Sequence, residues 1–263
     1  MFLHTYKRTI KVCVLLPILL ISINLLSQNR FLLAEYTSQK SLGMKLDSTK
    51  YSKDMIKKLT GIFEAQFVKK YILKAYDEKS SFTELQSELK INRLNNNSSN
   101  FNNNSIYINY KEERFAHQKF LLDKRFLIKD SIYKLNWKIT SASKNIGKYI
   151  CYKAILRKDT HNKDFFLRLK RDYIEAWFAP ELPYKYGPML YNGLPGLILE
   201  TNDGKTTIVC TSIELKKEVS KIKEPKKGKI VSKDKYESIY SIKMKNHKKK
   251  SASFLRNTEK SRN

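Results

Sequence analysis

The chain has 263 residues, 41% of them hydrophobic and 12% aromatic, which allows one good-sized domain or two small ones and is enough apolar matter for a core. Its 52 Lys and Arg against 25 Asp and Glu give a net charge of +27. Such an excess suits an anionic partner (nucleic acid, anionic lipid or an acidic glycan) or a merely solvated Lys-rich surface, so position along the chain must decide.

The N-terminus reads as an export signal over residues 1–27. Lys7, Arg8 and Lys11 form a basic start, Val12 to Leu26 an apolar run, and Ser27 a small residue at the cut. The run is broken by Pro17, Ser22 and Asn24 and is shorter than the roughly 20 residues of a membrane span, although an uncleaved anchor stays open. The mature chain has no run long enough to cross a bilayer. Export places the protein in the periplasm or cell envelope, where disulfides are permitted. Cleavage removes Cys13 and leaves Cys151 and Cys210 as a candidate bridge. Closing their loop of about 60 residues is worth roughly 4 kcal/mol in loop entropy; two buried free thiols are the alternative.

Residues 28–215 read as one antiparallel β domain. "RFLLAEYTS" suits a short strand. Met55, Ile56, Leu59, Ile62, Phe63 and Phe67 then recur at helical spacing behind Ser52 as N-cap, with Asp54 in the first turn. Strand runs follow. Ile106, Ile108 and Tyr110 share one face with Tyr107 on the other; Tyr133, Leu135, Trp137 and Ile139 alternate; Tyr149, Cys151 and Lys153 oppose Ile150, Tyr152 and Ala154. Asp203-Gly204 marks a hairpin between "LILET" and "KTTIVC". No helix-length segment separates the strands, which excludes a parallel α/β fold. The fold class is mainly β: a curved antiparallel sheet folded over the N-terminal helix as a half-barrel, or alternatively a two-sheet sandwich. The Asn-rich stretch 92–105 reads as a mobile loop.

Residues 216–263 form a basic tail with 17 Lys or Arg against 5 acidic residues. Within it "SKDKYESIYSIKMK" predicts a short helix capped by Ser232 with Tyr236, Ile239 and Tyr240 on one face, and the stretch from Asn246 onward predicts disorder.

Chemistry is sparse. His117, His161 and His247 are widely spaced and lack the i, i+4 spacing of a helical metal pair. There is no nucleophile elbow, phosphate loop or Cys-x-x-Cys, so no catalytic residue, cofactor or metal ligand is assigned. In "AWFAPELPYKYGPMLYNGLPGLILE", Asn192-Gly193 favours a positive-φ turn and Pro195-Gly196 carries the residues of a type II turn, with apolar Leu194, Leu197 and Ile198 packed around them.

These residues resemble the signature of the GLPGLI family, through Gly193, Leu194, Pro195, Gly196, Leu197 and Ile198. The likeness extends to Cys151, Lys153 and Ala154, to Trp137-Lys138-Ile139, to Ala176, Trp177, Phe178, Pro180, Glu181, Pro183, Gly187 and Pro188, and to the tail's "EPKKGKIVSKDKYESI". It departs at Lys170-Arg171-Asp172, where members carry a short Gly-Arg-type turn. The resemblance implies an exported protein of Bacteroidetes-type bacteria, uncharacterised in function, and its Trp, Pro and Gly positions read as structural. The leading expectation is a non-enzymatic envelope module that binds or carries an apolar or peptide-like ligand. The alternatives are a hydrolase or peptidase accessory built on Glu181 and Trp177, and a surface protein held to anionic envelope components by its tail. An exported chain without a recognisable nucleic-acid module makes nucleic acid an unlikely partner.

Overall fold

The computed structural model describes residues 30–41, 52–65, 67–85, 104–158 and 171–260. The predicted signal, all but the last two residues of the Asn-rich stretch, and His161 lie outside them. The described residues form one twelve-stranded sheet and two helices. The strands are β1 (Phe31–Lys40), β2 (Lys69–Tyr76), β3 (Lys79–Glu84), β4 (Ser105–Asn109), β5 (Arg114–Leu121), β6 (Lys124–Ser131), β7 (Trp137–Ile146), β8 (Tyr149–Arg157), β9 (Tyr173–Ala179), β10 (Leu197–Asn202), β11 (Thr206–Lys216) and β12 (Lys229–Val231). The helices are α1 (Lys53–Ala65) and α2 (Lys233–Lys260).

The order across the sheet is β12-β6-β5-β4-β3-β2-β1-β11-β10-β9-β8-β7. The chain steps outward from β1 to β6, reappears at the far margin as β7, and steps back to β11 beside β1. All neighbours are antiparallel except β12, which runs parallel to β6. This order forces curvature. β6 and β7 are ten strand spacings apart, about 48 Å on a flat sheet. Yet only residues 132–136 join them, and so short a connection reaches about 20 Å. The sheet must curl until its two margins approach, without closing. The half-barrel expectation holds, and the sandwich does not.

The inner face holds the main core. Leu32, Ala34 and Tyr36 of β1, Tyr71 and Leu73 of β2, Phe82, Ile106, Phe115, Phe126, Cys151 and Leu199 all belong to it. The alternation predicted for β4 is present: Ile106 and Ile108 enter this core, while Tyr107 packs outside with Ala116 and Leu127. The described side chains that fill the curl come from segments other than the expected helix. Ser52 does cap α1 through the Met55 N–H, at 3.3 Å. But no described side chain of α1 belongs to the inner core; Leu182, Tyr184 and Tyr186 from the β9–β10 connection and Tyr236 of α2 occupy it instead. Helical periodicity reported an amphipathic helix correctly but carried no information on which segment the sheet would enclose.

The tail also differs. Ser232 caps α2 by accepting from the Lys235 N–H, and Tyr236, Ile239, Tyr240 and Met244 lie against the core. The helix then runs on to Lys260 rather than ending near Asn246. The stretch contains no Gly or Pro, and its Lys, Ser and Ala residues do not oppose helix once a nucleus is anchored.

Candidate functional site

The stretch between β9 and β10 is built as a clasp over the sheet margin. Leu182, Tyr184 and Tyr186 lie buried on the inner face, with Pro183 and Lys185 exposed between them. The chain then rounds the margin, and Tyr191 and Leu194 pack on the outer face against Ala154, Leu156, Ile174 and Phe178. The two halves are tied by the Gly193 N–H donating to Lys185 O. The clasp is bonded to its own strands through Leu197 N–H to Leu182 O and Ile198 N–H to Tyr186 O. Phenols spread the attachment: Tyr184 donates to Arg30 O, Tyr186 to Asp77 O and Tyr110 to Lys185 O, at 2.9, 2.9 and 3.1 Å. Burial pushes the phenols of Tyr110, Tyr186 and Tyr191 well above their ordinary pKa, and Tyr110 and Tyr186 act as neutral donors.

The motif's small residues are explained by close approach. A Cβ on Gly196 would stand 2.3 Å from the Ala179 carbonyl oxygen, and one on Gly187 would stand 2.8 Å from Ile198 Cβ. Both glycines and Pro188 are buried, while Pro180, Glu181, Gly193 and Pro195 are exposed. Gly193 has the expected positive φ of 88°. Pro195-Gly196 is not the expected type II turn: φ at Gly196 is 159°, close to extended, because the residue has already begun to align with the end of β9. Leu197 and Ile198 point to opposite faces of β10 and seal both cores.

Beside the clasp lies a ladder of charge that the sequence did not reveal. Trp177 on β9 is flanked by Lys144 of β7, 4.4 Å from its ring centroid, and Lys153 of β8, 5.9 Å away. Lys144 donates to Glu200 of β10 at 2.6 Å, and Lys153 pairs with Glu175 at 3.1 Å. The pairs come from register: Lys153 lies opposite Trp177, and Trp177 opposite Glu200. A Lys at an alternate strand position was visible, but only the strand order tells which carboxylate meets it. Each lysine is satisfied by a carboxylate and an aromatic face, which makes the ladder a neutral, cross-strand brace.

Cys151 and Cys210 are both buried in the inner core as free thiols, so the candidate bridge is not formed. Their strands are separated by β9 and β10, and each thiol donates elsewhere, Cys151 to Tyr149 O and Cys210 to Ser212 O. Burial pushes the thiols from 9.0 up to about 11 for Cys151 and about 12 for Cys210. Of the histidines, His117 is buried on β5 with Nε2 2.8 Å from Asn104 Oδ1, and His247 is exposed on α2. Glu181 faces solvent, and no group of three His, Cys, Asp or Glu that could hold a metal gathers among the described residues.

The two margins of the sheet differ. β12 is three residues long, covers only Phe126 to Ile128 of β6, and leads at once into α2. β7 is ten residues long and, among the described residues, has a neighbour on one side only. On the outer face beside it Ile139, Ile150 and Tyr152 are 48%, 52% and 39% exposed. A register shift between Ile139 and Ser143 breaks the strand's middle, where Thr140 Oγ1 donates to Lys153 O and accepts from the Ala142 N–H. No helix among the described residues is long and apolar enough to cross a membrane.

No curated protein matches this chain. Two solved structures of PNGF-II are similar to it, both at low identity. The one in a C2 crystal form has 15% identity and a TM-score of 0.49, covering 80% of this chain and 32% of that one. The one in a P21 form has 17% identity and a TM-score of 0.45, covering 73% and 29%. The chain thus spans about a third of the length of those structures. Residues 137–200, which run from β7 through the ladder and the clasp into β10, match the family model described as a protein of unknown function (Porph_ging).

Proposed function

We propose that the chain is an exported envelope protein of the GLPGLI type whose curved sheet is a non-enzymatic binding module, and that it takes an extended peptide by strand addition at β7. The observation that carries this is the long, one-sided β7 with Ile139, Ile150 and Tyr152 exposed beside it. Main-chain groups on such a margin supply affinity, and neighbouring apolar side chains supply specificity. The break at residues 139–143 divides the edge into Trp137–Ile139 and Ser143–Ile146 and works against long pairing between copies. The basic and then apolar N-terminus supports export.

An enclosed apolar cargo is favoured less. The inner face is filled by Leu182, Tyr184 and Tyr186, and two of the concavities left hold about 150 and 220 Å³. Ligand pockets are ordinarily about 300–1,000 Å³. A hydrolase built on Glu181 and Trp177 is favoured less again, since Glu181 is exposed and Trp177 is clamped between two neutralised lysines.

The test is selection from a random decapeptide library on the immobilised full chain. Enrichment of peptides with alternating β-branched or aromatic residues is expected, and it should vanish in Ile139→Lys/Tyr152→Lys with melting unchanged. Three outcomes count against the proposal: no enrichment, enrichment untouched by the double variant, or cleavage of the selected peptides. A dimer in solution that dissociates in the double variant would assign the margin to a second copy.

A further inference from the structure

The second surface is the far part of α2. Its first turns are fixed to the sheet by Tyr236, Ile239, Tyr240 and Met244, and by Lys243 pairing with Asp123 at 3.5 Å. The helix continues to Lys260, 16 residues past Met244, or about 24 Å at the ordinary helical rise. From Lys243 to Lys260 the sequence has seven basic residues and one acidic.

Their spacing is ordered. Lys245, Lys248, Lys249, Arg256 and Lys260 stand at i, i+3, i+4, i+11 and i+15, which are positions on one helical face within an arc of about 120°. Tyr236, Ile239, Tyr240 and Met244, which pack on the sheet, occupy positions about 100–180° from the centre of that arc on the same wheel. Lys245 and Lys249, the stripe residues whose side chains are described, are therefore on the helix face turned away from the packed one. Ile242, 62% exposed, sits at the edge of that stripe, and Lys245 and Lys249 are exposed. Some cations of the sheet are matched to acids, as Arg114 and Lys129 are to Glu224, and Lys144 is to Glu200.

We infer that this stripe is a docking surface for an anionic lipid bilayer. Charge complementarity carries the inference: one helix face that holds five cation positions against a single acid, Glu259, with an apolar residue beside it matches a flat layer of negative head groups, and clusters of four to eight Lys or Arg suffice for such binding. The surface lies on a different element from β7 and stands whether or not β7 binds peptide.

The test is co-sedimentation of the full mature chain with vesicles of phosphatidylcholine containing about 30 mol % phosphatidylglycerol, against pure phosphatidylcholine. Binding to the anionic vesicles alone is expected. It should fall at least about 100-fold in Lys245→Glu/Lys248→Glu/Lys249→Glu, since the loss of three cations at about 1 kcal/mol each already gives that much. It should also fall steeply in about 0.5 M salt. A control variant, Lys79→Glu on β3, exposed and outside both surfaces, should bind as wild type. Equal binding to both vesicles, binding untouched by the triple reversal, or binding to heparin or duplex DNA but not to anionic vesicles would each overturn the inference.

Discussion

The two margins of one sheet are finished in opposite ways. At the β6 margin a strand of only three residues is added, and the helix that follows buries Tyr236 on Phe126 with ring centroids 5.4 Å apart. The segment leading there crosses the outer face of β5 and β6, where Ile222 packs on Tyr107, Ala116 and Leu127. Glu224 is held by Arg114 and Lys129, each at 2.9 Å. Burial alone would raise the Glu224 pKa, but the hydrogen bonds from Lys129 and Arg114 outweigh it and leave the carboxyl below its usual range. At the β7 margin no further strand of the described residues follows in the sheet. The strands there are braced from behind, by the clasp and by the Lys–Trp–Glu ladder, while their front stays open. One margin is sealed with structure; the other is stiffened and left accessible. A surface strand kept rigid but uncovered is the arrangement that recognition by strand addition requires.

The largest effect should come from breaking the clasp. In Gly196→Val, even the first added carbon stands 2.3 Å from Ala179 O, against backbone that cannot yield cheaply. A loss of more than about 3 kcal/mol is expected in urea unfolding, with hydrogen exchange accelerated in β9 and β10 before β4 and β5. Gly193→Ala makes the comparison sharp, because a Cβ there meets nothing and only the positive φ is penalised, for about 1 kcal/mol. Equal losses in the two variants would show that close packing against β9 is not what the motif secures.

At the sealed margin, Tyr236→Ala removes the aromatic anchor that joins α2 to Phe126. A loss of about 3 kcal/mol is expected from burial alone. Protease sensitivity should rise in α2 and at β12 while β7 to β10 keep their protection. Uniform loosening of both margins would mean that the sheet unfolds as one unit and that the contrast between its margins has no energetic basis.

How much of this was legible in the sequence divides along physical lines. Alternation predicted the strands and the two faces of β4, because burial on a pleated surface has period two. Caps at Ser52 and Ser232 were legible because their chemistry is local. The packed turns around Gly193 and Leu194 were legible as a structural motif. The strand order was not, since β6 and β7 are adjacent in sequence and ten spacings apart in the sheet. The ladder depends on that order, so Lys144 and Glu200 stayed invisible as a pair. The identity of the segment inside the curl was equally hidden: nothing local to Tyr184 and Tyr186 tells that their phenols reach Arg30 and Asp77, far away in sequence.

The smallest expected effect is on pH dependence. Cys151 and Cys210 both lie in the inner core, on strands on the β7 side of β1. Burial raises their thiols from 9.0 to about 11 and about 12. Above pH 9 the unfolded chain loses these protons while the folded chain keeps them. The native state then binds more protons than the unfolded one, so stability falls as pH rises. Tyr71, raised from 10.0 to about 12, adds the same sign one unit later. The melting temperature should be level through neutral pH and decline from about pH 8.5 upward. In Cys151→Ala/Cys210→Ala the curve should start lower, since two buried side chains are trimmed, but its decline should be delayed to about pH 9.5, where phenols take over. If the double variant declines from the same pH as wild type, the two thiols do not govern the onset, and the alkaline weakness belongs to the phenols.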